Sequence, residues 1–294
     1  MRHIALGLIG LVALPAAAEP IPGPVERMID AVAGDEEQLQ LIADVAKRAN
    51  PASAAEIDAK VSGIKTANAR AREERLASQG MMEGWTGQGE AGGFISTGNT
   101  TNRGLAVGVT LTKETRNWKH SVRGIVDYQE QQGITSRERY FGGYEGNWKF
   151  TQRGFVVFSL SAEQDRFTGF VSRFSQGVGI GYRLVDTADL TVAIDGGPAV
   201  RQTRFTNGVN ETSFAGRAAL NAKWVINPRL TLTETATYFA DDVNSSLLSL
   251  TQLTAKLNGS LSARASFQVN NESNPPPGRI NTDTVTRATL VYSF

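Results

Sequence analysis

The sequence has no cysteine and only two histidines, His3 and His120. Without cysteine the chain can form neither a disulfide nor a thiolate metal site. No cluster of metal-ligating residues is evident, and the glycines of "GVGIGY" lie in a predicted strand with no helix after it, which excludes a phosphate-binding loop. We therefore predict that the protein has no metal and no cofactor.

Long apolar runs are also missing, apart from one near the N-terminus. There "IALGLIGLVAL" follows the basic residues Arg2 and His3 and precedes three alanines, 16–18. This run is roughly half of the ~20 residues that a membrane-spanning helix needs. It is instead typical of a cleaved export signal. We predict a signal peptide at 1–18 and an exported protein without a helical anchor.

An excess of one charge is missing as well. The chain carries 30 Lys and Arg residues against 29 Asp and Glu, for a formal net charge of +1. A nucleic-acid-binding domain normally has a marked basic excess. We predict no nucleic-acid partner.

Residues 19–82 have the pattern of helices. "PVERMIDAVAG" begins with proline, and "DEEQLQLIADVAKRAN" has acids in its first turn and bases in its last, which suits the helix dipole. Asn50 is a predicted cap before Pro51. The apolar stripe is thin (Leu39, Ile42 and Val45, then Ile57, Val61 and Ile64), so it predicts a weak core. A solvated periplasmic leader and an arm that docks on a periplasmic partner or on a second copy both remain open.

From residue 83 to 294 the apolar period changes from 3.6 to 2, which is typical of strands. In "RGLAVGVTLTK", for example, Leu105, Val107, Val109 and Leu111 share one face. About twelve such segments of roughly ten residues can be counted. Long polar links such as "EQQGITSR" alternate with short ones such as "TQRG", as in outer-membrane barrels, which have short periplasmic turns.

The aromatic residues separate into two bands, which favours a membrane barrel over a soluble sandwich. All four tryptophans fall in the band beside the short turns, which comprises Trp85, Trp118, Trp148, Phe150, Phe155, Tyr182, Trp224, Tyr292 and Phe294. The fold class that we predict is all-β: a closed antiparallel transmembrane β-barrel of about 12 strands at 83–294, preceded by a short α-helical periplasmic leader at 19–82. The predicted surroundings are outer-membrane lipid.

The chain ends on "RATLVYSF", in which Leu290, Tyr292 and Phe294 share one face. An aromatic end is favourable in an interfacial belt. This ending resembles the C-terminal signal that the outer-membrane assembly machinery reads, so that machinery is a predicted partner.

Two residues fit the pattern badly. Glu234 falls on the lipid face if Leu232 and Tyr238 do, which suggests a strand that is shifted, bulged or inverted in phase. Pro198 removes one ladder hydrogen bond, so a bulge or kink is expected there.

The opposite faces of the strands carry charges that would line the lumen, where buried charges must be paired or hydrated. The predicted lumen-lining residues are Arg123, Asp127, Arg139, Glu145, Glu163, Asp165, Asp195, Arg201, Arg217, Lys223, Arg264 and Arg287. They suit either a barrel filled by salt bridges or a narrow hydrated channel.

A barrel-based lipase or protease is the alternative from another class. His120 is the only histidine after the signal peptide, and we place it on the outer side of the periplasmic rim. No serine lies in a G-x-S-x-G pattern. Glu163 and Asp165 share a face and could serve in acid–base chemistry, but an ion pair with a nearby base is the structural explanation. We predict no catalytic residues and no enzyme.

Four phrases resemble one family: "KETRNWKH", "EQDRFTGF", "GIGYRLVDT" and "NPPPGRINTDT…TLVYSF". Their order over about 83–294 is similar to the salt-induced outer membrane protein family, a bacterial family that is described as a domain of unknown function. Gln164 and Ile280–Asn281 depart from more basic positions in that pattern, and 19–82 lies outside it. The resemblance implies a barrel in the outer membrane of a Gram-negative bacterium, with a role under osmotic stress and no established substrate.

Overall fold

The structure is a computed structural model that describes residues 19–97, 102–131, 134–165, 170–241, 244–275 and 278–294. The predicted signal peptide at 1–18 lies outside the described residues. The chain divides into two compact units, one ending at Ser78 and one beginning at Gln79. The sequence-based boundary at 82/83 is thus four residues later.

The first unit is helical. Its elements are α1 (Gly23–Ala31), α2 (Glu36–Ala49), a single 3₁₀ turn (Pro51–Ser53) and α3 (Ala54–Ser78). No helix in the described part of the chain is long and apolar enough to cross a membrane.

The helices of this unit pack on one another around a core that is larger than the sequence predicted. Ile29, Leu39 and Ile57 are fully buried, and Ala43 and Ala46 join them. Val45, which we had assigned to the apolar stripe, is 44% exposed. The stripe is rich in alanine, and two of its alanines join the core. The expectation of a weak core stays a prediction.

The ends of the helices follow from local capping. Asp35 caps α2 by accepting a hydrogen bond from the Gln38 backbone N–H at 3.0 Å. Asn50 does not cap the following helix as predicted: its side chain donates to the carbonyl of Ala46 at 3.1 Å and so closes α2. Between helices, the Lys60 ammonium lies 2.8 Å from Glu26 and 2.9 Å from Asp30, and its hydrogen bond to Glu26 raises the pKa of Lys60.

The second unit is a closed antiparallel barrel in which each strand pairs with its neighbours along the chain and the first pairs with the last. The predicted all-β barrel of twelve strands is confirmed. The strands are β1 (Trp85–Thr97), β2 (Asn102–Glu114), β3 (Trp118–Gln131), β4 (Ile134–Lys149), β5 (Gly154–Asp165), β6 (Phe170–Asp186), β7 (Leu190–Phe205), β8 (Asn210–Asn227), β9 (Leu230–Ala240), β10 (Ser246–Lys256), β11 (Leu261–Glu272) and β12 (Thr282–Ser293).

Several strands extend well into the predicted long links, so the links differ less in length than the sequence suggested. "EQQGITSR" is mostly strand, because β3 runs to Gln131 and β4 starts at Ile134. The backbone pairing continues through polar residues there. Because these residues form no apolar face, the sequence pattern did not indicate a strand. We call the end of the barrel with the links after β2, β4, β6, β8 and β10 the turn end, and the other the loop end.

Alternation along each strand gives the barrel an apolar outer wall. Leu105, Val107 and Val109 are 70%, 58% and 44% exposed, while Ala106 between them is 4% exposed. Since successive side chains point to opposite faces, the apolar set is outside and the polar set inside.

The last residue closes the barrel. Gly87 and Phe294 exchange backbone hydrogen bonds of 2.8 and 2.9 Å. The Phe294 ring occupies the space where a side chain at position 87 would lie, since a Cβ added to Gly87 would be 2.2 Å from the ring. A larger residue at position 87 would have to displace the terminal ring.

The two misfits have simple explanations. The strand around Glu234 is neither shifted nor inverted there: Glu234 pairs with Thr251, and Leu232 with Trp224 and Leu253, all on the outer face. Glu234 thus lies on the apolar wall itself.

At Pro198 the predicted bulge is absent. The pairing of β6 with β7 is interrupted there, but the register is the same on both sides of the interruption.

Candidate functional site

The candidate site is the lumen. The strand register places all twelve predicted charged positions on the inner face, because each shares its face with a neighbour whose side chain points inward. They do not form one chain of contacts but several clusters, which are described below.

The central cluster is built on Asp127, whose side chain is fully buried. Arg287 from β12 donates to it from two nitrogens, Nη2 at 2.6 Å and Nε at 3.3 Å. Arg139 from β4 lies 3.5 Å away and also donates to Glu163 at 2.6 Å. The third guanidinium nitrogen of Arg287, Nη1, donates to the side-chain oxygen of Gln268 at 3.0 Å. A buried carboxylate between two guanidiniums keeps its charge compensated.

A second cluster lies next to it. Arg264 from β11 donates to Glu90 and to Gln88 of β1, both at 3.0 Å. The space between this cluster, Arg123 and Arg287 is a cavity of only about 10 Å³. Such a void holds about one water molecule. Side chains therefore leave little free space on this side of the lumen.

Two ion pairs cross the lumen. Arg173 on β6 donates to Glu272 on β11 at 2.6 Å, although these strands are five places apart in the ring of twelve. Arg217 on β8 contacts Asp195 on the adjacent strand and lies 4.0 Å from Glu145 on β4. Side chains from nearly opposite walls thus meet inside the barrel.

A recess of about 110 Å³ opens among the lumen residues at the loop end. Arg139, Arg173 and Arg201 line it, and each has one guanidinium nitrogen without a hydrogen-bond partner among the described residues. Arg173 stacks on Phe170 and Arg201 on Phe239, both at 4.2 Å. Arginine side chains that line a recess can bind a small solute rich in oxygen acceptors.

Three lumen residues of the clusters were missed from the sequence. Arg173 and Glu272 are absent from the predicted lumen set, yet they lie on β6 and β11. Glu90 lies within "GQGEAGG", where small residues hide the alternation. If the alternation of β6 had been extended backwards to Phe174 on the outer face, Arg173 would have been placed on the inner face.

The two further predicted positions are Lys223 and Asp165. Lys223 is exposed near the turn end. Asp165 is buried beside the Arg139 cluster. Phe155, which we had placed in the aromatic band of the outer wall, points inward and covers Gly181. That assignment is corrected: position near a short turn does not fix the face on which a ring lies.

His120 lies on the outer wall at the turn end. Its ring stacks on Trp118 with centroids 5.5 Å apart, and its Nδ1 is 2.9 Å from the Tyr144 hydroxyl. Within the described part of the chain, no three carboxylate or imidazole groups are placed to hold a metal ion.

A closed barrel with an apolar outer wall, aromatic rings toward its ends and an ionised interior is the architecture of outer-membrane β-barrels. That is the class of protein that the fold and the lumen define.

Within this class the chain belongs to the family described as "Protein of unknown function, DUF481", whose model matches residues 89–294. The match confirms the resemblance drawn from the four phrases. The chain is also similar to "Uncharacterized protein YdiY" of Escherichia coli (strain K12), with 24% identity over 69% of this chain and 81% of that protein.

Among solved structures, the chain is similar to the NanC porin, with 12% identity, 70% of this chain and 98% of that chain covered, and a TM-score of 0.49. It is also similar to the translocator domain of autotransporter NalP from Neisseria meningitidis, with 14% identity, 81% and 98% covered, and a TM-score of 0.46. Neither similarity assigns a solute to this chain.

Proposed function

We propose that this protein is an outer-membrane barrel of structural function, with its turn end in the periplasm and a lumen closed to solutes by its own ion pairs. The apolar wall faces lipid, and the charged interior stabilises the barrel from within. Insertion relies on the assembly machinery, which would read the ending at Leu290, Tyr292 and Phe294.

The Arg173–Glu272 pair carries this proposal. A guanidinium and a carboxylate held at 2.6 Å from strands five places apart obstruct the lumen between them. Both side chains are largely buried, at 12% and 24% exposure, so the pair is shielded from solvent and from the screening by salt that weakens surface pairs.

The number of strands leaves the outcome to the side chains. Barrels of about eight strands are filled by side chains, whereas those of about 16–18 leave an aqueous channel. Twelve strands lie between these cases, so the side chains decide whether a path remains. Beside Arg123 and Arg287 they leave a void of about 10 Å³, which supports closure.

Planar-bilayer conductance of the refolded protein tests the proposal. The intact barrel should show no stable conductance, whereas the double variant Arg173→Ala/Glu272→Ala should, because two side chains that cross the lumen are gone. The matched control is Arg183→Ala/Asp186→Ala, which removes a partly exposed pair 3.1 Å apart at the turn end of the same strand. A steady current through the unmodified protein would contradict closure and support the narrow channel instead.

A second candidate function, binding of a small oxygen-rich solute, is favoured by the three arginines that line the loop-end recess, Arg139, Arg173 and Arg201. Thermal unfolding in detergent with acetate, inorganic phosphate or glycerol tests it. Saturable stabilisation should be lost on Arg201→Gln but kept on Arg103→Gln, an exposed arginine on the outer face of β2. Equal shifts in both variants would argue against the recess.

The role under osmotic stress rests on the family resemblance alone. If it is correct, deletion of the protein should slow growth in high salt, and a plasmid copy should restore growth.

The barrel-based enzyme gains no support from His120, which lies on the outer wall. Lipase and protease assays on the refolded protein test this alternative.

A further inference from the structure

The segment between the helical unit and the first strand, "QGMMEGW" at 79–85, exposes two adjacent methionines. Met81 is 87% exposed and Met82 84%, far more than most apolar residues of the outer wall. Exposed apolar side chains mark an interaction surface when they belong to a contiguous apolar patch, so the surroundings of the two methionines decide their meaning.

The backbone of this segment turns its polar groups toward the barrel or toward itself. The carbonyl of Met81 accepts hydrogen bonds from the Lys113 ammonium at 2.8 Å and from the Trp85 indole at 3.2 Å. The carbonyl of Gly80 also accepts a hydrogen bond from the Lys113 ammonium. The backbone N–H of Gly80 donates to the Glu83 carboxylate at 3.0 Å. Irregular backbone tolerates contact with lipid only when its polar groups are satisfied in this way.

Lys113 fixes the place of the segment. It pairs with Trp85 on one side and His120 on the other, so its side chain leaves the outer face of β2 at the turn end. Despite this position Lys113 is only 5% exposed, because the segment covers its ammonium group. Residues 80–82 therefore lie against the outer wall, within the aromatic band.

The chain then turns sharply into β1 at Gly84, whose φ of +72° is a conformation that favours glycine. Beyond it, Trp85 begins the strand on the same outer face. The two methionines are thus continuous with the wall that meets lipid in the proposed function.

We propose that residues 80–84 form an interfacial foot, in which the Met81 and Met82 side chains enter the headgroup–acyl boundary of the periplasmic leaflet. The partner is the lipid surface itself. Lys113 acts as the positioning residue, since its ammonium holds the backbone of the foot on the wall. This inference rests on the proposed membrane location of the barrel.

Fluorescence quenching on the full chain tests the foot, and the absence of cysteine makes single-site labelling clean. A small fluorophore is attached to Met82→Cys, and the protein is inserted into phosphatidylcholine vesicles. Two labelled controls are Gln152→Cys, which lies in an exposed turn at the same end, and Val107→Cys, which is 58% exposed on the outer wall near the middle of β2. Quenchers are iodide in the buffer and lipids carrying a nitroxide near the headgroup or deep in the acyl chain.

The label at position 82 should be quenched several-fold more by the headgroup nitroxide than the label at 152, and several-fold less by iodide. Adding Lys113→Gln should remove this difference. Iodide quenching equal to that at 152 would overturn the proposal, and so would protection from both kinds of quencher, which would indicate a protein partner. Unchanged lipid quenching in Lys113→Gln would overturn the role of Lys113. If the label at 107 escapes the deep nitroxide, the membrane location itself fails, which distinguishes that failure from loss of the foot.

Discussion

At the scale of single residues, the end of the chain shows how a strand terminus becomes part of the wall. Phe294 lies over Gly87 and stacks on Tyr292 with ring centroids 6.3 Å apart. The sequence predicted the aromatic face of β12 from its alternation. It could not predict that a glycine on a strand about two hundred residues earlier provides the space for the terminal ring.

Replacing Gly87 with valine should therefore impair closure of the barrel. A Cβ at position 87 would overlap the Phe294 ring and displace it from the seam between β1 and β12. The expected result is loss of the heat-modifiable, folded band on a gel. Gly89→Val is the matched control on the same face of the same strand, since nothing lies within 4 Å of a Cβ there. Equal folding of both variants would contradict a role for this contact.

At the scale of elements, the β9–β10 pair carries an acid on the apolar wall. Ser249 donates to the Glu234 carboxylate at 2.7 Å, and Thr251 donates to its other oxygen. A charged base in the middle of a bilayer costs about 2–4 kcal/mol and an acid less, so two hydroxyl donors offset much of the cost. The sequence identified Glu234 as a misfit, but we explained it wrongly as a change of phase. Cross-strand partners are visible only once the register is known.

Removing both hydroxyls, with Ser249→Ala and Thr251→Val together, should leave the carboxyl group without these partners. The expected loss of unfolding free energy is about 1–3 kcal/mol, the cost of an unsatisfied buried polar group. Urea unfolding in lipid vesicles measures it. In a Glu234→Leu background the same two changes should have little effect, and an equal loss there would show that the hydroxyls act independently of Glu234.

At the scale of the whole molecule, the chain consists of a helical unit with its own core and a barrel that closes on itself. A core centred on Ile29, Leu39 and Ile57 is sufficient reason for the first unit to fold independently of the strands. Every edge of the sheet is paired within the second unit, so the barrel needs no strand from outside.

Deletion of residues 19–78 behind the signal peptide should leave the barrel intact. The shortened protein should fractionate with the outer membrane and keep its heat-modifiable migration, since all twelve strands and the segment that covers Lys113 remain. Failure to fold would contradict the independence of the two units and give the helices a part in assembly.

The sequence by itself determined the class of fold, the number of strands and the shared inner face of the twelve charges that it marked for the lumen. It could do so because alternation is a local property that every strand repeats. Only the tertiary structure decided which charges meet. Arg173 and Glu272 are separated by 99 residues, and Arg287 and Asp127 by 160, so their contacts exist only after the sheet has curled and closed. Whether the lumen is filled or open depends on these contacts between distant strands, and no period along the chain encodes them.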